Sequence, residues 1–189
     1  MARVKRQDNS RIEHICGKGG HVIPKGDSYL MASPGFRRRK PLIRCLDHPF
    51  RPSELTTSAR SAPLSAVEAF EDAAGAGFES MEDLESAWAE LGDALEEFMD
   101  EREQALEAWE NGNSQLEDLF DQAQAAHEEW EGHSFEDFDE DEPQEEDFKD
   151  TEKGRRKYDE ALEEWNQNRM DHIQDQTDEA LGVAQGLDI

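Results

Sequence analysis

Only two of the 189 residues are cysteines, basic side chains are scarce beyond residue 60, and no apolar run approaches the roughly 18 residues of a membrane span. The basic opening MARVKRQDNSR has no apolar h-region behind it, so the chain reads as soluble and cytoplasmic. In a reducing compartment the two cysteines read as thiolates, with a Cys16–Cys45 disulfide as the alternative. No Ser/His/Asp arrangement or phosphate-binding P-loop is present, and carboxylates are too common in the C-terminal part for any pair to point to acid–base chemistry. His127, His133 and His172 lie in polar contexts. These absences favour binding over catalysis. With 35% hydrophobic and 35% charged residues, a large core is excluded as well.

What is present is sharply divided. Residues 1–60 hold 13 Lys and Arg against 5 Asp and Glu, whereas residues 61–189 hold 7 against 42, which together give the net charge of −27. The chain is two electrostatic objects joined end to end, one basic and one acidic.

The basic part contains both cysteines, within CGKGGH (Cys16 to His21) and RCLDHP (Cys45 to His48). Cys16, His21, Cys45 and His48 are four N/S donors in two short clusters, the set a closed tetrahedral structural Zn2+ site requires. His14 competes with His21 for the fourth place, and His21 is favoured because it lies beyond the glycine-rich turn. Val22-Ile23, the turn Pro24-Lys25-Gly26-Asp27 and Tyr29-Leu30-Met31 read as a hairpin, and Leu42-Ile43-Arg44 reads as a strand delivering Cys45. Knuckle, hairpin, strand and second ligand pair together predict a treble-clef or zinc-ribbon module. Lys25, Arg37, Arg38, Arg39, Lys40 and Arg44 are its candidate nucleic-acid contacts, although the same charges serve equally to neutralise the acidic part of the molecule.

The stretch CGKGG, IPKGDSYL and RCLDHPFRPSELTTS resembles a group of uncharacterised bacteriophage and prophage proteins. In that group a CGxCG knuckle is followed by an I-x-x-GD-x-Y hairpin, a strand ending in RC-x2-H or RC-x2-C, a P-x-x-SELT linker and an acidic helical tail. The resemblance covers residues 16–58 closely and the tail only in character, and it implies a zinc module without an established activity. Gly19 stands where the second cysteine of that pattern usually lies. The implied ligand set is therefore three residues plus a substitute histidine, His21 or His14.

Beyond a linker at 53–63, heptad-like spacing predicts helices. Leu64, Val67, Phe70 and Ala74 mark the first; Leu84, Trp88, Leu91, Leu95 and Phe98 the second, extending to Trp109; and Leu116, Leu119, Phe120, Ala123, Ala126 and Trp130 the third. The short break at Asn111-Gly112-Asn113 favours an antiparallel hairpin. Trp88, Trp109, Trp130 and Trp165 are assigned to the helical core. FEDFDEDEPQEEDF has no sustained period and predicts a disordered linker, followed by a fourth helix around Tyr158 to Ile173 that frays from Gly182.

The expectation is a small α+β protein. It comprises a flexible basic arm (1–12), a zinc-binding β-rich module (13–52), a linker (53–63), a helical hairpin region (64–131), an acidic linker (132–152) and a C-terminal helix (153–183). Nucleic acid through the basic face and protein through the acidic helices are the expected partners, with a self-assembling coiled coil or an acidic nucleic-acid mimic as alternatives.

Overall fold

The structure, a computed structural model, describes residues 2–33, 40–109 and 112–189. Five short strands, β1 (Lys5–Gln7), β2 (His14–Ile15), β3 (Val22–Ile23), β4 (Tyr29–Ala32) and β5 (Leu42–Arg44), make up an N-terminal β module. Four helices follow among the described residues: α1 (Ser61–Ala76), α2 (Met81–Glu107), α3 (Ser114–Glu131) and α4 (Glu152–Gly186). This is the small α+β arrangement that the sequence implies.

The strand pairing differs from expectation in two places. β3 and β4 do not form a hairpin with each other: β3 pairs with β2, while β4 is the central strand of an antiparallel sheet in the order β1-β4-β5. The turn at Pro24–Asp27, with Gly26 at φ 101°, sends the chain away from β3. Ser10 fills the gap, its N–H donating to Asp27 O at 2.9 Å and its carbonyl accepting from Gly26 N at 2.8 Å. The residues expected to form a mobile arm therefore include a strand, β1, paired with β4. All three β1 side chains are exposed, so no apolar alternation marks it, and backbone hydrogen bonds alone define the strand.

The helical part is organised by α2. Leu84, Trp88, Leu91, Leu95 and Phe98 are all buried, so the heptad seam is its inner face. Phe70 of α1, Ala123 and Ala126 of α3, and Ala180 and Ala184 of α4 close on it. Trp109 is 58% exposed and stands outside this core, because α2 ends at Glu107, before the seam reaches it. Each helix after the first is capped as its sequence allows: Ser80 Oγ accepts from Asp83 N, Asn113 Oδ1 from Gln115 N, and Thr151 Oγ1 from Gly154 N.

α1 begins at Ser61, earlier than the expected start near Leu64, with Pro63 in the first turn where no intrahelical N–H is needed. Glu68, whose spacing from Ser65 suggests a capping box, is instead buried and receives the N–H of Ser53 at 2.9 Å and its hydroxyl at 2.6 Å. The linker is accordingly an ordered joint. Its 3-10 helix Pro52–Leu55 packs on α1, and Arg51 donates to Glu68 O at 3.1 Å and pairs with Asp72.

Residues 132–152 carry eleven acidic side chains and one basic one, yet they lie along α4 rather than forming a disordered linker. Phe138 packs on Trp165 and His172, Phe148 packs on Tyr158, and Phe135 meets Trp88. Trp165 Nε1 donates to Glu140 O at 2.9 Å, and Glu136 N donates to Gln176 Oε1 at 2.8 Å. Three phenylalanines with irregular spacing make this strap, and irregular spacing carries no helical or strand period. The expected fraying from Gly182 is also corrected, since α4 runs to Gly186 and both Ala184 and Ile189 are buried in the core.

Gly92 fixes how closely α2 and α3 approach. A Cβ built there would lie 2.1 Å from the Trp130 ring, whose Nε1 donates to Trp88 O at 3.0 Å. Gly92→Ala is expected to displace Trp130 and destabilise the protein by about 1–3 kcal/mol, although alanine is the better helix former. Urea unfolding followed by tryptophan fluorescence will check this, and a midpoint equal to or above that of the parent would contradict the packing described.

Candidate metal centre

The metal site is assembled from two backbone turns that a small sheet brings together. Cys16 directly follows β2 and opens a tight turn, in which Gly20 N donates to Cys16 O at 2.8 Å and Cys16 N to His21 O at 2.9 Å. Gly20 takes φ 65°, a conformation that suits glycine. Cys45 follows β5, and His48 N donates back to Cys45 O at 3.3 Å, forming the second turn. Gly17 N donates to Ile43 O at 2.9 Å and fastens the first turn to β5.

This arrangement converges the side chains of Cys16, His21, Cys45 and His48, whose donor atoms all lie within 4.8 Å of one another. His48 Nδ1 lies 3.2 Å from Cys45 Sγ and 3.6 Å from Cys16 Sγ. A tetrahedron with metal–ligand bonds of about 2.0–2.3 Å has edges of about 3.3–3.8 Å, so these separations are close to those of a shared metal. Both thiols are buried, His48 is half-buried and His21 is exposed. The cluster can hold a metal ion, with two soft sulfur and two imidazole donors.

Burial alone pushes the Cys16 thiol up, but backbone N–H groups of Cys45, Gly19 and Lys18, together with His48, outweigh it and hold the group down at about 6. Amides directed at sulfur favour the thiolate, the form that binds metal. One of them, Gly19 N, lies 3.4 Å from Cys16 Sγ.

Between the two candidate histidines the geometry selects His21. The His14 ring packs against Tyr29, with centroids 4.5 Å apart, and His14 does not belong to the donor cluster. Gly19 explains how His21 fits. A Cβ at position 19 would lie 2.6 Å from His21 Nδ1 and 2.6 Å from His48 Cε1, so the space that a side chain at 19 would enter is filled by imidazole.

The candidate nucleic-acid residues fare unequally. Lys25 and Lys40 are exposed, and Arg37, Arg38 and Arg39 lie outside the described residues. Arg44 is a correction. Its side chain is only 11% exposed, pairs with Glu54 and stacks 5.5 Å from the Phe50 ring centroid, so it faces the protein and not a phosphate. Arg51, which the charge pattern groups with the phosphate-facing residues, and Glu68, which its spacing from Ser65 assigns to a helix cap, instead join Glu54 and Ser53 as the partners that draw Arg44 and the linker inward. The available signal is Glu54, a lone acidic residue between Asp47 and Glu68, which charge counting alone averages away.

No family model matches the chain, and neither a curated protein nor a solved structure was found to match it. Among the described residues no helix is long and apolar enough to cross a membrane.

Replacing His21 with alanine should weaken metal binding more than about tenfold, whereas His14→Ala should leave it unchanged. Titration of each variant with cobalt(II), followed by its visible absorption, separates the two. Equal losses, or a loss only in the His14 variant, would reject the assignment of His21.

Proposed function

We propose that the chain is a non-enzymatic binding protein whose N-terminal module is held together by structural zinc. Four convergent protein donors carry this reading, because a tetrahedral ion held by all of them has no position left for water or substrate. The basic module meets nucleic acid through exposed side chains, among them Lys5, Arg6, Lys25 and Lys40, and the acidic helices meet protein. The charge division at residue 60 supports assigning different partners to the two parts. Sequence-specific base recognition is not part of the proposal, since Tyr29 is occupied by His14 and, among the described residues, no aromatic array accompanies the basic surface. The motif resemblance of residues 16–58 supports a setting in the cytoplasm of a phage-infected or prophage-bearing cell.

Elemental analysis of purified protein should find about one zinc per chain, and Cys45→Ser should abolish it. Absence of zinc from protein prepared with the metal would refute the proposal. The nucleic-acid half predicts that the full chain binds single- or double-stranded oligonucleotides at low salt, with affinity falling steeply as salt rises. No binding at about 20 mM salt would remove that half.

A second reading, self-association through the helices, is favoured by Trp109, which is 58% exposed at the end of α2. Sedimentation equilibrium tests it: a chain that remains monomeric at high concentration acts through other partners.

A further inference from the structure

One end of the metal cluster is connected to the helical part by a continuous chain of charged groups. Arg44 immediately precedes the ligand Cys45, and its guanidinium lies over the turn that follows the ligand Cys16: a Cβ at Gly17 would be 2.7 Å from Arg44 Nη1. Both halves of the metal site therefore touch the same side chain. Arg44 pairs with Glu54, whose other carboxylate oxygen accepts the N–H of Arg51 at 3.0 Å. Arg51 in turn reaches α1 through Glu68 O, at 3.1 Å, and the Asp72 carboxylate. Ser53, within the same 3-10 helix as Glu54, is held by the buried Glu68.

The Arg44–Glu54 link is poorly replaced by water, whereas the Arg51–Asp72 pair is more exposed. Burial pushes the Glu54 carboxyl up, but the Arg51 N–H and the Arg44 guanidinium outweigh it and hold the group below the usual range. Arg44 is largely shielded from solvent. Removing one partner would leave a partly buried charge exposed to desolvation without compensation, so the links are expected to form or fail together.

We infer that metal loading of the Cys16–His48 cluster is transmitted to the helical region through Arg44, Glu54 and Arg51, so that the metal governs how firmly α1 is held against the β module. The inference rests on the metal reading given above. Without a metal, a few hydrogen bonds and the small cluster of Cys16, Ile23 and Cys45 hold the two turns together, and both turns are what place Arg44 against Glu54. His21 is exposed, so one ligand can be exchanged from solvent without unfolding the rest. Metal loss then loosens Arg44, releases Glu54 from its guanidinium partner and weakens the hold of the β module on the 3-10 helix that packs against α1. The device gives a small zinc module leverage over a helical region that has none of the ligands.

The test uses the full chain with zinc as the only added metal, and reads helix melting by circular dichroism alongside zinc stoichiometry. Chelation should lower the melting temperature of the parent by about 5–10 °C, as expected for loss of a ligand present at about 100 times its dissociation constant or more. Glu54→Ala and Arg51→Ala each break one link while leaving all four donors in place. Both should still bind zinc one to one, within about threefold of the parent affinity, yet chelation should shift helix melting by less than half the parent value in Glu54→Ala, and by less than the parent value in Arg51→Ala, where the Ser53–Glu68 link remains. Persistence of the full shift in both variants would overturn the relay, as would a parent that binds zinc and shows no shift. If the parent binds no zinc, the metal reading itself is overturned, and the relay with it. Should Glu54→Ala fail to fold, Glu54→Gln, which removes the charge paired with Arg44 and keeps the side-chain volume, decides in its place.

Discussion

The convergence of two cysteine sulfurs and two imidazoles is the constraint on which the N-terminal module depends, because little else is available to hold it. Its buried apolar cluster consists of Cys16, Ile23 and Cys45, supported by Tyr29 and Ile43. Burial of so few side chains is worth only a few kcal/mol, against a conformational cost of about 1–2 kcal/mol for each ordered residue. Small domains of this kind are ordinarily completed by a metal or by disulfides. Here two of the three buried residues of the cluster also belong to the candidate donor set. The core and the candidate metal site share these residues, and their loss would remove both.

The helical part solves a different problem. Its 42 acidic residues repel one another, so neither charge pairing nor a broad apolar surface can account for its packing. A narrow seam does so instead: Leu84, Leu91 and Leu95 are essentially inaccessible, and small alanines of α3 and α4 permit close approach around them. The strap adds further acidic residues beside α4, and what opposes their repulsion is aromatic contact. Each such ring pair contributes about 0.5–1.5 kcal/mol beyond its burial, so the contacts of Phe135, Phe138 and Phe148 together can offset screened repulsion between exposed carboxylates. In the strap the acidic side chains are all exposed, while the backbone that carries them is held against α4.

What could be read from the sequence followed from periodicity and donor chemistry. The α2 seam is a five-member pattern that only one helix face satisfies, and the Cys/His set is nearly the whole inventory of such donors in the basic part. Structure defined by single long-range contacts was not legible. β1 has no inward side chains, the strap has three phenylalanines at unequal intervals, and Gly92 looks like a weak point in a helix until Trp130 is placed over it. Arg44 shows the limit most clearly. A count of positive charges assigns it to the basic surface, whereas its position beside Cys45 and across from Glu54 turns it inward. The sign of a side chain is in the sequence; the direction it faces depends on which oppositely charged group folding brings near.

That distinction bears on how the two electrostatic halves are joined. A basic module and an acidic helical region on one chain would be expected to attract each other over broad, exposed surfaces, an interaction that salt weakens. The joint that is present is narrower and more buried. It is made by Arg44, Arg51, Glu54 and Glu68, with two backbone or hydroxyl donors from Ser53, and it leaves Lys5, Arg6, Lys25 and Lys40 exposed. The joint and the exposed basic surface thus use different basic residues. A module fastened in this way keeps a positive surface exposed although the molecule as a whole is strongly negative. Because partly buried pairs are screened less than exposed ones, raising the salt concentration should screen the exposed lysines and arginines before it loosens the Arg44–Glu54 contact of the joint.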